Sequence, residues 1–251
     1  MPYRKFALKL LQKRQLERFR TPDGSTGLIK LQNEVNIMRT IFHPNVIILF
    51  EAIWECCDCN SGDDEIQIAL ITEYMNLGTL MHFSNNSYHT NPNIHMDSTI
   101  MLPRLVYQLF HGLEYLHTQH VLHSDIKPDN LLIMEENGEV LLRICDFGCA
   151  RIVDDDVVID DDELDCMMDG TSAFQPPTVN RHSSVFYSDI WAAGLCVFLM
   201  AFDGHFPFSL NVIDVQDSIN SCVIGNVLEG HRDGSNDDLV NFLLSVLTMV
   251  S

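Results

Sequence analysis

From Val121 to Arg151 short apolar runs alternate with polar turns, and this stretch divides the chain. Its first turn, His123-Ser124-Asp125-Ile126-Lys127-Pro128-Asp129-Asn130, separates Val121-Leu122 from Leu131-Leu132-Ile133. A later one, Asn137-Gly138, carries the strongest short hairpin signal and predicts a strand–turn–strand. Upstream, residues 3–11 have strand length and composition, with Lys9 among apolar neighbours. The polar, Gly- and Pro-containing residues 14–27 read as a loop or insertion. Residues 28–41 put Leu31, Val35, Met38 and Phe42 at helical spacing, closed by His43-Pro44-Asn45. Two strand-like runs follow, 46–54 and 66–74, around an acidic loop. Residues 84–98 read as a linker or an excursion from a short helix. Residues 100–117 form an amphipathic helix along Leu102, Val106, Leu109, Leu113 and Leu116, with Pro103 placed in its first turn. Further helices are predicted around 189–202 and 236–250. The order implies an α+β chain: a small β-rich lobe with one helix over 1–75, then a larger helical lobe over 76–251.

Composition narrows the classes. A chain of 251 residues with 46% apolar content can bury a sizeable core. Fifteen Lys and Arg against 35 Asp and Glu give a formal charge of −20, which disfavours nucleic acid and anionic membrane as partners and favours basic proteins. The apolar run 191–202 is too short to span a bilayer and reads as a buried helix. Eight irregularly spaced cysteines and no signal-peptide pattern fit reduced thiols and a cytoplasmic, intracellular location. Glu55-Cys56-Cys57-Asp58-Cys59 lacks the partner pair of a metal knuckle and reads as a polar loop. Cys145 and Cys149 read as small buried apolar side chains.

The polar turn acquires chemistry from what surrounds it. A carboxylate at Asp125 can orient or accept a hydroxyl proton. Asn130 and Asp146, the latter in Asp146-Phe147-Gly148, offer oxygens that suit Mg²⁺, which keeps waters and bridges phosphates. Lys9, within Phe6-Ala7-Leu8-Lys9, supplies a cation for phosphates, and Glu34 on the next helix an anion to aim it. Together and in this order these are the parts of phosphoryl transfer to proteins.

With those motifs the chain resembles a eukaryotic Ser/Thr protein kinase over nearly its whole length, and the resemblance implies a bilobal kinase-like fold using ATP and Mg²⁺. Leu70-Ile71-Thr72-Glu73-Tyr74-Met75 resembles the gatekeeper and hinge, where adenine would bond the backbone of Glu73 and Met75 beside Thr72. Ala7 and Leu132 would sandwich the ring, and Lys9 with Glu34 would hold the phosphates. Asp125 would be the base, Lys127 would reach the transferring phosphate, and Thr171 would bridge the two. Asn130 and Asp146 would hold the metal. Met38, Leu49, His123 and Phe147 would stack as a packed column, which makes His123 a core residue rather than a base. Asp189 would anchor the His123 loop from a buried helix. The segment 173–177, Ala-Phe-Gln-Pro-Pro, and the insertion after Lys9 are similar to the calcium/calmodulin-dependent kinase kinases and the liver-type upstream kinases. A protein substrate, basic or itself a kinase, is implied; calmodulin is a possible partner that no segment here displays.

The pattern also departs from the family. Ser124 replaces an arginine that clamps an activation-loop phosphate, and residues 151–170 contain no Ser, Thr or Tyr to receive one. That acidic run either recruits basic substrates or is a solvated loop. Thr178 replaces a glutamate whose arginine partner lies later in the family; an unpartnered buried glutamate would cost about 3–5 kcal/mol. No G-x-G-x-x-G precedes Lys9, so the chain reads as part of a longer kinase truncated at both ends. A catalytically inactive scaffold is the alternative reading, and a small-molecule phosphotransferase a weaker one, opposed by Lys127, Thr171 and Pro176-Pro177.

Overall fold

The computed structural model describes residues 5–20, 24–57, 66–86, 98–153, 172–176, 185–202, 204–208 and 221–248. Strand β1 (Phe6–Gln12) runs directly into a short helix, α1 (Lys13–Arg18), and then α2 (Gly27–Thr40). The expected loop over 14–27 is therefore partly helical. Lys-Arg-Gln-Leu-Glu-Arg is composed of good helix formers, which outweighs its polarity. Thr26 caps α2 by accepting the Ile29 N–H at 3.2 Å. Strands β2 (Leu49–Cys57) and β3 (Ile66–Glu73) complete an antiparallel sheet in the order β1-β3-β2. Alternation along β1 sets Ala7, Lys9 and Leu11 opposite Thr72, Leu70 and Ile68. Leu31 and Val35 of α2 share a core cluster with Ile68, Leu70 and Ala52 of this sheet.

Two expectations for α2 and the next strand fail at their ends. The helix stops at Thr40 and Ile41 turns extended, so Ile41 is buried while Phe42 is 77% exposed rather than on the apolar stripe. Residues 46–48 do not join β2; Val46 bridges Ile144 in parallel, and the Ile47 N–H donates to the Ile144 carbonyl at 2.9 Å.

The helical part begins with β4 (Gly78–Thr79), α3 (Leu80–Asn86) and α4 (Ser98–Thr118). Pro103 stands in the second turn of α4, not the first, because the helix starts at Ser98. Short strands follow: β5 (Val121–Leu122), β6 (Leu131–Glu136), β7 (Glu139–Ile144) and β8 (Arg151–Ile152). β6 and β7 pair through the predicted hairpin, with Asn137 (φ 55°) and Gly138 (φ 84°) both left-handed as a tight two-residue turn requires. Then come α5 (Tyr187–Ala201), α6 (Ser221–Gly230) and α7 (Asp237–Leu247). The glycines of α6 mask its periodicity, although Ile224 and Leu228 bury one face. No helix among the described residues is long and apolar enough to cross a membrane.

One core cluster joins Ile37 and Met38 of α2, Leu105, Leu109, Leu113 and Leu116 of α4, and the β6–β7 hairpin. A second gathers α5, α6 and α7. Helix α5 is buried from Trp191 to Leu199, which explains its unbroken apolar run. Gly194 is the point of closest approach to α7: a Cβ there would lie 2.6 Å from Val246 Cγ1 and 2.9 Å from Leu247 Cδ2. Gly194→Ala gains about 1 kcal/mol of helix propensity but forces two packed helices apart. A net loss of about 1–2 kcal/mol is expected in urea unfolding with the slope unchanged. A raised midpoint would contradict this close contact.

Candidate active site

The polar loop after β5 hangs from the buried carboxylate of Asp189 on α5. Asp189 Oδ2 accepts the backbone N–H of His123 at 2.9 Å, and Oδ1 accepts that of Ser124 at 2.9 Å. His117 Nε2, from the last turn of α4, donates to the same Oδ2 at 3.0 Å. Ser124 sits in the left-handed region (φ 66°), so the loop reverses sharply at this suspension point. His123 is fully buried, 5.1 Å from the Phe147 ring. Its Nδ1 accepts the Asp125 N–H at 3.3 Å, and its Nε2 lies 3.0 Å from the Cys145 carbonyl. A carbonyl only accepts, so the proton belongs on Nε2, and both ring nitrogens are committed to structure.

Suspension of the loop presents Asp125, Lys127 and Asn130 together. Lys127 Nζ lies 2.7 Å from Asp125 Oδ2. Asn130 Nδ2 donates to the Asp125 carbonyl at 2.8 Å and to its Oδ2 at 2.9 Å. Both amide protons of Asn130 are thereby turned to Asp125, which directs its oxygen the other way. Asp146 is also left-handed (φ 65°), and Oδ1 accepts the Gly148 N–H at 3.4 Å.

The second half of the site is electrostatic. Lys9 Nζ lies 3.7 Å from Glu34 Oε1, with Lys9 half exposed and Glu34 buried. Burial pushes the Glu34 carboxyl above its ordinary value, the Lys9 ammonium pulls it back, and the Asp146 carboxylate pushes it further up. Gly148 permits this approach: a Cβ there would stand 3.3 Å from Asp146 Oδ1 and 3.9 Å from Glu34 Oε2. Burial, with Asp146 second, raises the Cys145 thiol to about 12, so it is inert beside the site.

The expected adenine end lies at the close of β3. Thr72 stands opposite Ala7, Met75 is buried, and Leu132 pairs with Thr79 and Arg143 on its two flanking strands. Thr171 and Thr178 lie outside the described residues. The structure thus assembles Asp125, Lys127 and Asn130 in one hydrogen-bonded group, and brings Lys9, Glu34 and Asp146 within electrostatic reach of one another. Leu49, Met38, Phe147 and His123 do gather in the core where the two parts meet. His117 and Arg143 escaped the sequence reading; neither has a local motif, and each acts on a partner distant in the chain. Among the described residues no group of three or more His, Cys, Asp or Glu is arranged to hold a metal ion by itself. A pair of oxygen donors such as Asn130 and Asp146 fits Mg²⁺, which takes few protein ligands and completes its shell with water and phosphate.

A sequence model described as the protein kinase domain matches residues 3–248. The serine/threonine-protein kinase stk11 homolog of Dictyostelium discoideum is 29% identical over 248 residues, 97% of this chain and 37% of that protein. Serine/threonine-protein kinase GRIK1 of Arabidopsis thaliana is 31% identical over 219 residues, 85% of this chain and 49% of its own length. DCLK1 of Rattus norvegicus is 29% identical, covering 97% of this chain and 50% of that one. The chain spans about a third to a half of these relatives. A chain of the yeast RNA Pol II CTD kinase CTDK-1 complex shares the fold, with a TM-score of 0.60 at 23% identity over 85% of this chain and 60% of that one.

A carboxyl raised above its ordinary 4.5 in the folded state costs stability once ionised. The cost is absent below that pH, grows as pH rises through the raised value, and is complete above it. Half-exposed Lys9 can turn to water if its partner is lost. Glu34→Gln is therefore expected to melt above the parent at pH 7, with the gap narrowing toward pH 4. A variant that melts lower at pH 7 would show that the ion pair outweighs burial.

Proposed function

Because the chain belongs to the protein kinase family, we propose that it transfers the γ-phosphate of ATP to serine or threonine hydroxyls of proteins. The observation that carries this reading is the Asp125 carboxylate clasped by Lys127 at 2.7 Å and Asn130 at 2.9 Å. Asp125 orients the substrate hydroxyl and accepts its proton as the new P–O bond forms and the bond from the γ-phosphorus to the bridging oxygen breaks, releasing ADP. Lys127, already at that carboxylate, stabilises the charge on the migrating phosphoryl group. Lys9, aimed by Glu34, holds the α- and β-phosphates, while Ala7, Leu132 and the backbone of Glu73 and Met75 beside Thr72 hold adenine. Thr171 joins Asp125 and Lys127 in this reading. Asn130 and Asp146 would hold Mg²⁺, which supplies positive charge between the phosphates.

The charge of −20 supports a basic protein substrate. Ala173-Phe174-Gln175-Pro176-Pro177 supports one that is itself a kinase, through its likeness to the calcium/calmodulin-dependent kinase kinase and liver-type group. Asp125→Ala should lower labelled phosphate transfer to a basic protein at least about 100-fold. Nucleotide binding should survive, seen as an upward melting shift worth about 2.7 kcal/mol when Mg-ATP is a hundred times its Kd. Undiminished transfer by the variant would remove Asp125 from its role. A parent that shows neither shift nor transfer would favour a scaffold.

A further inference from the structure

We propose that Arg143 on β7 is a positioning residue that locks the adenine-contacting segment 72–75 in place and so sets ATP affinity rather than turnover. The inference rests on the reading that this segment and Leu132 receive adenine. Arg143 stands opposite Leu132 in the β6–β7 register, so its side chain leaves the sheet on the face that carries Leu132. Its Nε lies 2.8 Å from Glu73 Oε1, and both side chains are close to fully buried. Another guanidinium nitrogen, Nη1, donates to the Pro44 carbonyl. The same Glu73 Oε1 accepts the Ile48 N–H at 2.9 Å, while the Glu73 N–H donates to the Ile48 carbonyl at 3.2 Å. One guanidinium therefore spans three pieces of chain, with an ion pair to the end of β3, a hydrogen bond to the turn after α2, and its own strand β7 beside Leu132.

That tie can be cut without detaching the turn. Asn45 Nδ2 donates to the Leu142 carbonyl at 3.1 Å, the Ile144 N–H to the Asn45 carbonyl at 2.9 Å, and the Ile47 N–H to the Ile144 carbonyl at 2.9 Å. These bonds flank Arg143 on both sides and need none of its atoms. Loss of Arg143 instead strands the Glu73 carboxylate in a buried place, and hydrating it requires the 72–75 segment to move outward. Displacement of the adenine contacts weakens substrate and transition state alike, which raises KM and spares kcat.

The test measures Mg-ADP binding by calorimetry, with KM for ATP and kcat, on the full chain and three variants. Arg143→Met is expected to weaken Mg-ADP and raise KM about tenfold, with kcat within about twofold. Arg143→Lys keeps the charge but cannot fork to both Glu73 and Pro44, so it should fall between Met and parent. Adding Glu73→Gln to Arg143→Met removes the stranded charge and should recover at least half of the loss on a logarithmic scale. If Arg143→Met does not fold, Arg143→Lys carries the test, and an unchanged KM in it overturns the proposal. So does a folded Arg143→Met that binds Mg-ADP like the parent. A loss of kcat and stability together, unrelieved by Glu73→Gln, would make Arg143 merely structural and also overturn it. A parent that binds no Mg-ADP would defeat the nucleotide reading itself, a different result from a binding parent with an indifferent Arg143.

Discussion

The carboxylate of Asp189 determines whether this chain has a site at all. The loop it holds is polar and mostly without regular structure, so nothing within residues 123–130 would fix its shape. Two backbone N–H groups and the His117 ring converge on that one buried anion. Hydrogen bonds to a charged group are worth about 1.5–3 kcal/mol each, and burying a carboxylate costs several. The sum is closer to geometry than to stability: Asp189 specifies one conformation of the loop, with Ser124 bent into the left-handed region and Asp125 beyond it. Helix α5 can carry such a group because it is buried on all sides and cannot shift without opening two packed clusters.

The same exchange of stability for arrangement recurs at Glu34 and at Glu73. Glu34 is buried against a half-exposed lysine and beside the Asp146 carboxylate, an environment that opposes its charge. Glu73 is buried against Arg143 and the Ile48 amide. In each case a buried carboxylate ties its own element to a basic side chain on another, Glu34 of α2 to Lys9 of β1 and Glu73 of β3 to Arg143 of β7. Buried charges of this kind contribute arrangement more than stability, and the surrounding apolar clusters provide the stability these groups do not.

Much of this was legible in the sequence because it is local. Asn137-Gly138 dictates its turn, Leu109, Leu113 and Leu116 of α4 bury as their spacing requires while Leu102 and Val106 stay partly exposed, and the order of Lys9, Glu34, Asp125, Asn130 and Asp146 is that of a kinase. Phe42 was misread because a helical stripe does not announce where its helix ends, and the extended Ile41 cut it short. Helix α1 was hidden by polarity and α6 by glycine, since their faces are defined by neighbours rather than by their own periodicity. Arg143 and His117 were invisible for the same reason: each derives its meaning from a carboxylate 70 and 72 positions away in the chain. Roles resting on Thr171, Thr178 and the acidic run fall outside the described residues.

Lys9, Asp125, Asn130 and Asp146 are proposed to serve one nucleotide. A crystal structure of the chain with Mg²⁺ and a non-hydrolysable ATP analogue tests this most directly. Adenine is expected along residues 72–75 above Leu132, phosphates at Lys9, and Mg²⁺ within about 2.0–2.1 Å of oxygens from Asn130 and Asp146. Density for the nucleotide on another face, or a metal held by neither residue, would contradict the proposal.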